Sequence, residues 1–79
     1  MITVKLLAVL KELAPDGNKD GIVELEHTSG MTVADALAAT NIVKTDIKYS
    51  VMVNNVRSAK DSALKDGDII KVMPLLAGG

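Results

Sequence analysis

Residues 23–40, VELEHTSGMTVADALAAT, carry a strand pattern that is followed at once by a helix pattern. At the start of this stretch, Val23, Leu25 and His27 alternate with two glutamates. An alternation with period two predicts a β-strand that has one polar face. A Ser-Gly pair at residues 29–30 ends the strand and leaves only a short connection to the helix pattern.

The helix pattern begins at Thr32, whose side chain suits the N-cap position. Asp35, three residues later, can complete a variant of the capping box. Apolar residues then share one face of the helix, while the neighbouring alanines favour helix formation. The residues on this face are Val33, Ala36 and Leu37. We predict a short helix over residues 33–40, closed by Asn41 in the left-handed conformation.

Further strand patterns lie on both sides of this stretch. Residues 2–6, ITVKL, alternate apolar and polar side chains, and residues 49–53, YSVMV, form the next strand. The Asn-Asn pair that follows suits a two-residue turn because Asn tolerates positive φ. Residues 56–58 then return as a short strand. The last strand, residues 69–73, follows an Asp-Gly-Asp turn and is stopped by Pro74.

The order of these elements is strand, strand, helix and then three strands. This order predicts an α+β protein with a ubiquitin-like β-grasp fold, in which one main helix packs across one face of a mixed sheet. A length of 79 residues allows one domain. We therefore predict a β-grasp domain over residues 1–74 and a flexible C-terminal Gly-Gly tail over residues 75–79, since no strand partner is left for the tail.

The composition excludes several classes of function. The chain contains one Tyr and neither Phe nor Trp, so it has little flat surface on which bases could stack. The net charge of -1 is not concentrated in blocks, and we expect no nucleic-acid partner. The chain has no Cys, which rules out thiolate chemistry and disulfides. We expect no signal peptide, no membrane partner and a soluble cytoplasmic protein.

Conventional catalytic residues are scarce. His27 is the single histidine, and no Ser-His-Asp arrangement accompanies it, so we interpret it as a strand-end or surface residue. Asp66 and Asp68 flank a glycine, which is typical of a turn; a metal site would need more oxygen ligands. We therefore predict no metal site and no stably bound cofactor.

The chain ends in Ala77-Gly78-Gly79. Glycine can pass through a narrow tunnel because it has no side chain, and the terminal carboxylate is then the only functional group at the tip. A carboxylate becomes electrophilic after adenylation by ATP, and the adenylate can then react with sulfur or with an amine. Leu75 and Leu76 would anchor the tail at the mouth of a partner's tunnel. An inert tail is the alternative, because chain ends are often loose and rich in glycine.

These features, taken in order along the chain, resemble the MoaD and ThiS sulfur carriers. Residues 64–68, LKDGD, the following strand with Pro74, and the Ala-Gly-Gly end resemble the C-terminal signature of that family. Residues 4–12, VKLLAVLKE, look like the start typical of MoaD, the small subunit of molybdopterin synthase. Residues 32–37, TVADAL, match the helix start of both branches, and residues 51–55, VMVNN, match the strand and turn before the last segment.

The resemblance implies a specific chemistry for the tail. A ubiquitin-activating-type adenylating enzyme would use ATP to activate Gly79, and a sulfurtransferase would then supply the sulfur of a thiocarboxylate. In the molybdopterin branch the tail enters the large synthase subunit and donates sulfur to precursor Z. By position, Gly79 is the thiocarboxylated residue, Gly78 is the tunnel residue, and Leu75, Leu76 and Ala77 contact the partner. The protein would not be an enzyme alone.

The sequence departs from the family pattern at two places. Leu7 stands where the family often has Phe, and the tail lacks a second proline after Pro74, which makes it less preorganised. The length of residues 7–21 favours the molybdopterin branch over thiamine-type carriers. Thiamine synthesis, tRNA thiolation and conjugation to protein lysines remain alternatives, as does an inert β-grasp binding module.

Overall fold

The computed structural model describes residues 1–14 and 20–75 of the chain. It contains five strands, one α-helix and two short 3-10 helices. The strands are β1 (Ile2–Leu6), β2 (Ile22–Leu25), β3 (Tyr49–Val53), β4 (Val56–Arg57) and β5 (Ile69–Pro74). The helix α1 spans Val33–Ala38, and the 3-10 helices span Ala8–Leu13 and Asn41–Lys44.

All five strands form one mixed sheet in the order β2-β1-β5-β3-β4. The central pair β1 and β5 is parallel, whereas the other three pairings are antiparallel. This is the predicted α+β arrangement with β-grasp topology, and the prediction is confirmed. The topology places the first and last strands side by side in the sheet, and β5 is held on both sides by backbone hydrogen bonds to β1 and β3.

The core lies between α1 and one face of the sheet. Alternate residues of β1 and β5 are fully buried there, and Leu37 of α1 packs into the same cluster. The core is aliphatic, as the composition indicated. Its largest fully buried side chains are Ile2, Val4, Leu6, Leu10, Val33, Leu37, Ile42, Ile70 and Val72. We call the opposite face of the sheet the open face, because no helix within residues 1–14 and 20–75 packs on it.

The N-terminus of α1 forms as the sequence predicts. The Thr32 hydroxyl accepts a hydrogen bond from the Asp35 N–H, and the Asp35 carboxylate accepts one from the Thr32 N–H. This reciprocal capping box satisfies two backbone donors that a helix start leaves without intrahelical partners. The predicted Asn-Asn turn is also confirmed, because Asn54 and Asn55 adopt φ angles of 52° and 68°.

The predicted end of the helix is wrong. The α-helix stops at Ala38, and Asn41 begins a 3-10 helix instead of closing α1 in the left-handed conformation. Thr40 explains the difference. Its buried hydroxyl donates to the Leu37 carbonyl at 2.8 Å and accepts from the Ile42 N–H at 3.2 Å, so it ends one helix and caps the next. The second strand is also shorter than predicted, and His27 lies beyond it.

Candidate functional site

The end of β5 is the part of the candidate site that the structure describes. Pro74 lies opposite Tyr49 of β3, and the Leu75 N–H donates a hydrogen bond to the Lys48 carbonyl at 2.8 Å. The antiparallel ladder between β3 and β5 therefore continues one residue past the strand. The Leu75 side chain is 46% exposed, which leaves it available to a partner.

The remaining site residues, Leu76, Ala77, Gly78 and Gly79, lie outside the described residues. Their predicted roles stay predictions, as does the boundary between a domain over residues 1–74 and a tail over residues 75–79. The structure places Leu75, the residue that precedes these four, and its N–H is hydrogen-bonded to the carbonyl of Lys48, directly before β3. We call Leu75 the base of the tail.

The open face extends along β5 as far as Leu75. Ile70 and Val72 point into the core, so Ile69, Lys71 and Met73 lie on the open face, and the same alternation places Leu75 with them. Ile69 and Met73 are 38% and 37% exposed, which is high for apolar residues of a central strand. A line of apolar side chains, interrupted by one lysine, therefore runs along β5 to the end of the described chain.

Thr3, Lys5, Ile69 and Met73 all lie on the open face. Thr3 of β1 is the register partner of Ile69, and Lys5 is the register partner of Lys71. Met73 lies one step further along β5. Met52 and Arg57 belong to the same face, and their position depends on strand registers that alternation alone cannot provide.

A network of hydrogen bonds holds the end of the open face where β5 begins, which is the end far from Leu75. Asn54 donates to the Asp68 carboxylate at 2.9 Å and accepts from the Ile69 N–H at 3.0 Å. The other Asp68 oxygen accepts from the Lys65 N–H at 2.8 Å. Asn55 accepts a hydrogen bond from the Lys71 ammonium at 3.0 Å. The turn between β3 and β4 is thereby fixed to the start of β5.

The remaining polar candidates have structural roles in the described part of the chain. His27 is half-buried, and its Nε2 lies 2.9 Å from the Leu64 carbonyl oxygen, so it joins two loops. Asp66 pairs with the Met1 ammonium. Across residues 1–14 and 20–75, no group of three or more His, Cys, Asp or Glu side chains could hold a metal ion.

Comparison with known proteins connects this geometry to a family. The model of the ThiS family matches residues 4–79, which is nearly the whole chain and includes the Gly-Gly end. The chain belongs to the ThiS family. It is therefore a ubiquitin-like protein of the small modifier and sulfur carrier class, and the resemblance stated from the sequence is confirmed. A comparison with curated proteins finds no significant match.

Solved structures share the fold of this ThiS-family chain. SAMP1 from Haloferax volcanii is 23% identical, with a TM-score of 0.76 over 99% of this chain and 98% of its own. A putative molybdopterin converting factor, subunit 1, from Pyrococcus furiosus is 24% identical, with a TM-score of 0.75 over 95% of this chain and 97% of its own. A second structure of the Haloferax volcanii small archaeal modifier protein 1 gives 23% identity and a TM-score of 0.74, over 95% and 97% of the two chains.

The helices in the described part of this ThiS-family protein are short. Within the described residues, none is long and apolar enough to cross a membrane.

The stability of the fold depends on pH through two turn carboxylates, those of Asp66 and Asp68. The Lys65 N–H and the Asn54 amide lower the pKa of Asp68, and the N-terminal ammonium lowers the pKa of Asp66. A depressed pKa means that the ionised form stabilises the fold, so this contribution is present above the unfolded value of 3.8 and is lost as the pH falls through the folded pKa.

We expect Asp68→Asn to lower the melting temperature by a few degrees at pH 7, because one charge-assisted acceptor is lost. The difference from the wild type should shrink toward zero as the pH is lowered below the folded pKa. Thermal melts across this pH range check the prediction. Asp61→Asn is the matched control, since Asp61 is exposed and makes no hydrogen bond among the described residues. A deficit in Asp68→Asn that does not change with pH would contradict the assignment.

Proposed function

We propose that this chain is a sulfur carrier whose Gly79 carboxylate is adenylated and then converted to a thiocarboxylate. The thiocarboxylate donates sulfur in molybdopterin biosynthesis, where the chain acts as the small subunit of molybdopterin synthase. The observation that carries this proposal is the family match, which extends to Gly79 on a β-grasp domain. The activating enzyme binds the ATP, so the chain itself needs no stably bound cofactor.

The chemistry needs three partners. An adenylating enzyme of the ubiquitin-activating type joins the Gly79 carboxylate to AMP and releases pyrophosphate. A persulfide on the sulfurtransferase attacks the carbonyl carbon and displaces AMP, and a thiol reductant then cleaves the resulting acyl disulfide to leave the thiocarboxylate. The large subunit of molybdopterin synthase then receives the tail together with its pterin substrate. The chain contributes the carboxylate and its delivery, and it is not catalytic alone.

The geometry of β5 supports this delivery. Leu75 is the last described residue and is hydrogen-bonded to the Lys48 carbonyl, and residues 76–79 at full extension reach about 14 Å beyond it. Such a reach is enough to place a terminal carboxylate inside a partner's site. Leu75, Leu76 and Ala77 contact the partner at the entrance of the tunnel, while Gly78 occupies its narrow part because glycine has no side chain.

Protein conjugation is the second candidate function. It is favoured by the similarity to SAMP1, which a second structure names small archaeal modifier protein 1. The molybdopterin proposal is supported by the equally similar Pyrococcus furiosus structure, named as a putative molybdopterin converting factor subunit, and by the length of residues 7–21. Thiamine synthesis and tRNA thiolation use the same activated tail.

These candidate functions can be distinguished by identifying the molecule that accepts the sulfur. The chain is charged with isotopically labelled sulfur by its activating enzyme, ATP and a sulfurtransferase, and is then mixed with the large synthase subunit and the pterin precursor. We expect the label to move to the pterin. Label that moves instead to a thiazole precursor or to tRNA, or an amide bond between Gly79 and a protein lysine, would contradict the molybdopterin assignment.

A further inference from the structure

A cavity of about 220 Å³ lies at the end of the open face where β5 begins. It spans the neighbouring strands β1 and β5 and is bordered by the turn between β3 and β4. Its lining residues are Lys5, Asn54, Asn55, Ile69 and Lys71. Because Leu75 stands at the other end of β5, the cavity lies away from the tail.

Two lysines from neighbouring strands meet at this cavity. The strand register places Lys5 of β1 directly opposite Lys71 of β5, and both side chains are half-buried. Within residues 1–14 and 20–75, no carboxylate oxygen lies within 4.0 Å of either ammonium nitrogen. Like charges directly opposite each other on neighbouring strands destabilise a sheet. A ligand with negative charge between the two ammonium groups would offset that cost.

The hydrogen-bonding capacity that the lining side chains have left consists mainly of donors. Asn54 Oδ1 accepts from the Ile69 N–H at 3.0 Å, and Asn55 Oδ1 accepts from the Lys71 ammonium at 3.0 Å. The second contact fixes the orientation of the Asn55 amide, because an ammonium group can only donate. In the part of the chain that the structure describes, the Lys5 ammonium and the Asn55 NH₂ group have no hydrogen-bond partner. The cavity therefore suits a ligand that is rich in acceptors.

Two acidic residues lie near the cavity without lining it. The Asp68 carboxylate accepts from the Asn54 amide at 2.9 Å and from the Lys65 N–H at 2.8 Å, so both of its oxygens are already engaged. Glu24 lies on the open face diagonal to Lys5, but on the far side of β1 from β5. The lining side chains thus carry two positive charges and no negative charge.

We propose that this cavity binds a small tetrahedral oxyanion of the phosphate class, held between the ammonium groups of Lys5 and Lys71 and by the NH₂ group of Asn55. A tetrahedral dianion matches the two positive charges and directs acceptor oxygens to donors on several sides. A carboxylate brings one charge and two oxygens in one plane. The volume admits the anion together with several water molecules, each of which takes about 30 Å³ in the liquid. The inference does not involve Gly79 and is independent of the proposed function.

The surroundings of the cavity favour a free anion or a small monoester over a nucleotide. The single Tyr of the chain, Tyr49, alternates with Ser50 and lies on the core side of β3 with Val51. Beside the cavity there is consequently no ring on which a base could stack. Recognition then rests on the phosphate group itself, so free phosphate and glycerol 3-phosphate should bind with similar affinity.

Titration of the purified chain with inorganic phosphate tests the inference, with chloride used to hold the ionic strength constant. We expect saturable changes in the NMR signals of the Asn55 side-chain NH₂ group and of the Lys5 and Lys71 backbone amides. The melting temperature should be about 4–8 °C higher in about 50 mM phosphate than in chloride of equal ionic strength, because the anion binds only the folded chain. Sulfate, which is also a tetrahedral dianion, should act in the same way.

Substitution of the lining lysines should weaken this binding. We expect Lys71→Gln and Lys5→Gln each to raise the Kd for phosphate by about tenfold or more, because one charge-assisted donor is lost. Both variants should also melt at a higher temperature than the wild type in chloride, since the facing pair of like charges is gone.

Arg57→Gln is the matched control. It removes one positive charge from the same face, but β3 lies between Arg57 and Lys71, and Arg57 does not line the cavity. Its Kd for phosphate should stay within about twofold of the wild-type value, because solvent and salt screen an exposed charge at that distance.

Three results would overturn the inference. The first is an equal melting temperature of the wild type in phosphate and in chloride, without saturable changes in the NMR signals. The second is an equal loss of affinity in Arg57→Gln and Lys71→Gln, since the anion would then respond only to the general positive charge of the face. The third is binding to vesicles of phosphatidylglycerol and phosphatidylcholine without any effect of free phosphate.

Discussion

Deletion of Gly79 should abolish adenylation of this chain by its activating enzyme. The deletion leaves a carboxylate on Gly78 but withdraws it by one residue, about 3.3–3.6 Å along an extended chain. A displacement of about 1 Å can already cost a reaction on the order of 100-fold, so we expect the loss to exceed that factor. Pyrophosphate release in the presence of ATP and the activating enzyme measures it.

Two variants make this result specific. Gly79→Ala keeps the length and the carboxylate but adds one methyl group, so it should reduce adenylation less than the deletion does. A chain extended by one residue after Gly79 should not be activated at all, because its carboxylate has moved. The melting temperature should be unchanged in all three, since the buried core lies before residue 75. Normal adenylation of the shortened or extended chain would contradict a role for the Gly79 carboxylate.

Gly21→Ala should have the largest effect on stability. Gly21 has a φ of +77°, and a Cβ atom at this position would lie 2.5 Å from the Leu6 carbonyl oxygen and 2.9 Å from the Lys11 side chain. Leu6 cannot move away easily because its N–H donates to the Gly21 carbonyl at 2.8 Å and its side chain is buried. We expect a loss of about 2–4 kcal/mol, or roughly 10–25 °C in melting temperature.

Gly30→Ala is the control for this prediction. Gly30 has nearly the same φ, +80°, but a Cβ atom there would meet nothing within 4 Å. Gly30→Ala should therefore show only the backbone strain of an alanine at positive φ, about 1–2 kcal/mol. Thermal and denaturant unfolding of both variants should separate the steric contribution from the backbone contribution. Equal melting temperatures for the two variants would show that the close approach to Leu6 does not matter.

Local features of this chain are visible in its sequence because short-range chemistry determines them. The Thr32 and Asp35 capping box needs residues only three positions apart, and the Asn54-Asn55 turn needs two neighbours that tolerate positive φ. The end of α1 was mispredicted although its signal was present. Thr40 is a good N-cap residue directly before residues 41–44, and it starts the second 3-10 helix.

Long-range features could not be predicted in the same way. Alternation shows that Lys5, Lys71 and Arg57 lie on strand faces, but it does not show which strands are neighbours. Their alignment depends on the parallel pairing of β1 with β5, which joins opposite ends of the chain. The close approach of Gly21 to Leu6 likewise follows from how β1 and β2 are connected. The chemistry of the tail follows from the resemblance to the MoaD and ThiS sulfur carriers. The match to the ThiS family model supports the general class of small modifiers and sulfur carriers.

The most direct test of the account is the intact mass of the chain after incubation with its activating enzyme, ATP, a sulfurtransferase with a sulfur donor, and a thiol reductant. We predict a mass increase equal to the exchange of one oxygen atom for sulfur, located by fragmentation at Gly79. The increase should require ATP and should be absent from the chain that lacks Gly79. An unchanged mass in the presence of an active enzyme, or a sulfur atom at any other residue, would contradict the account.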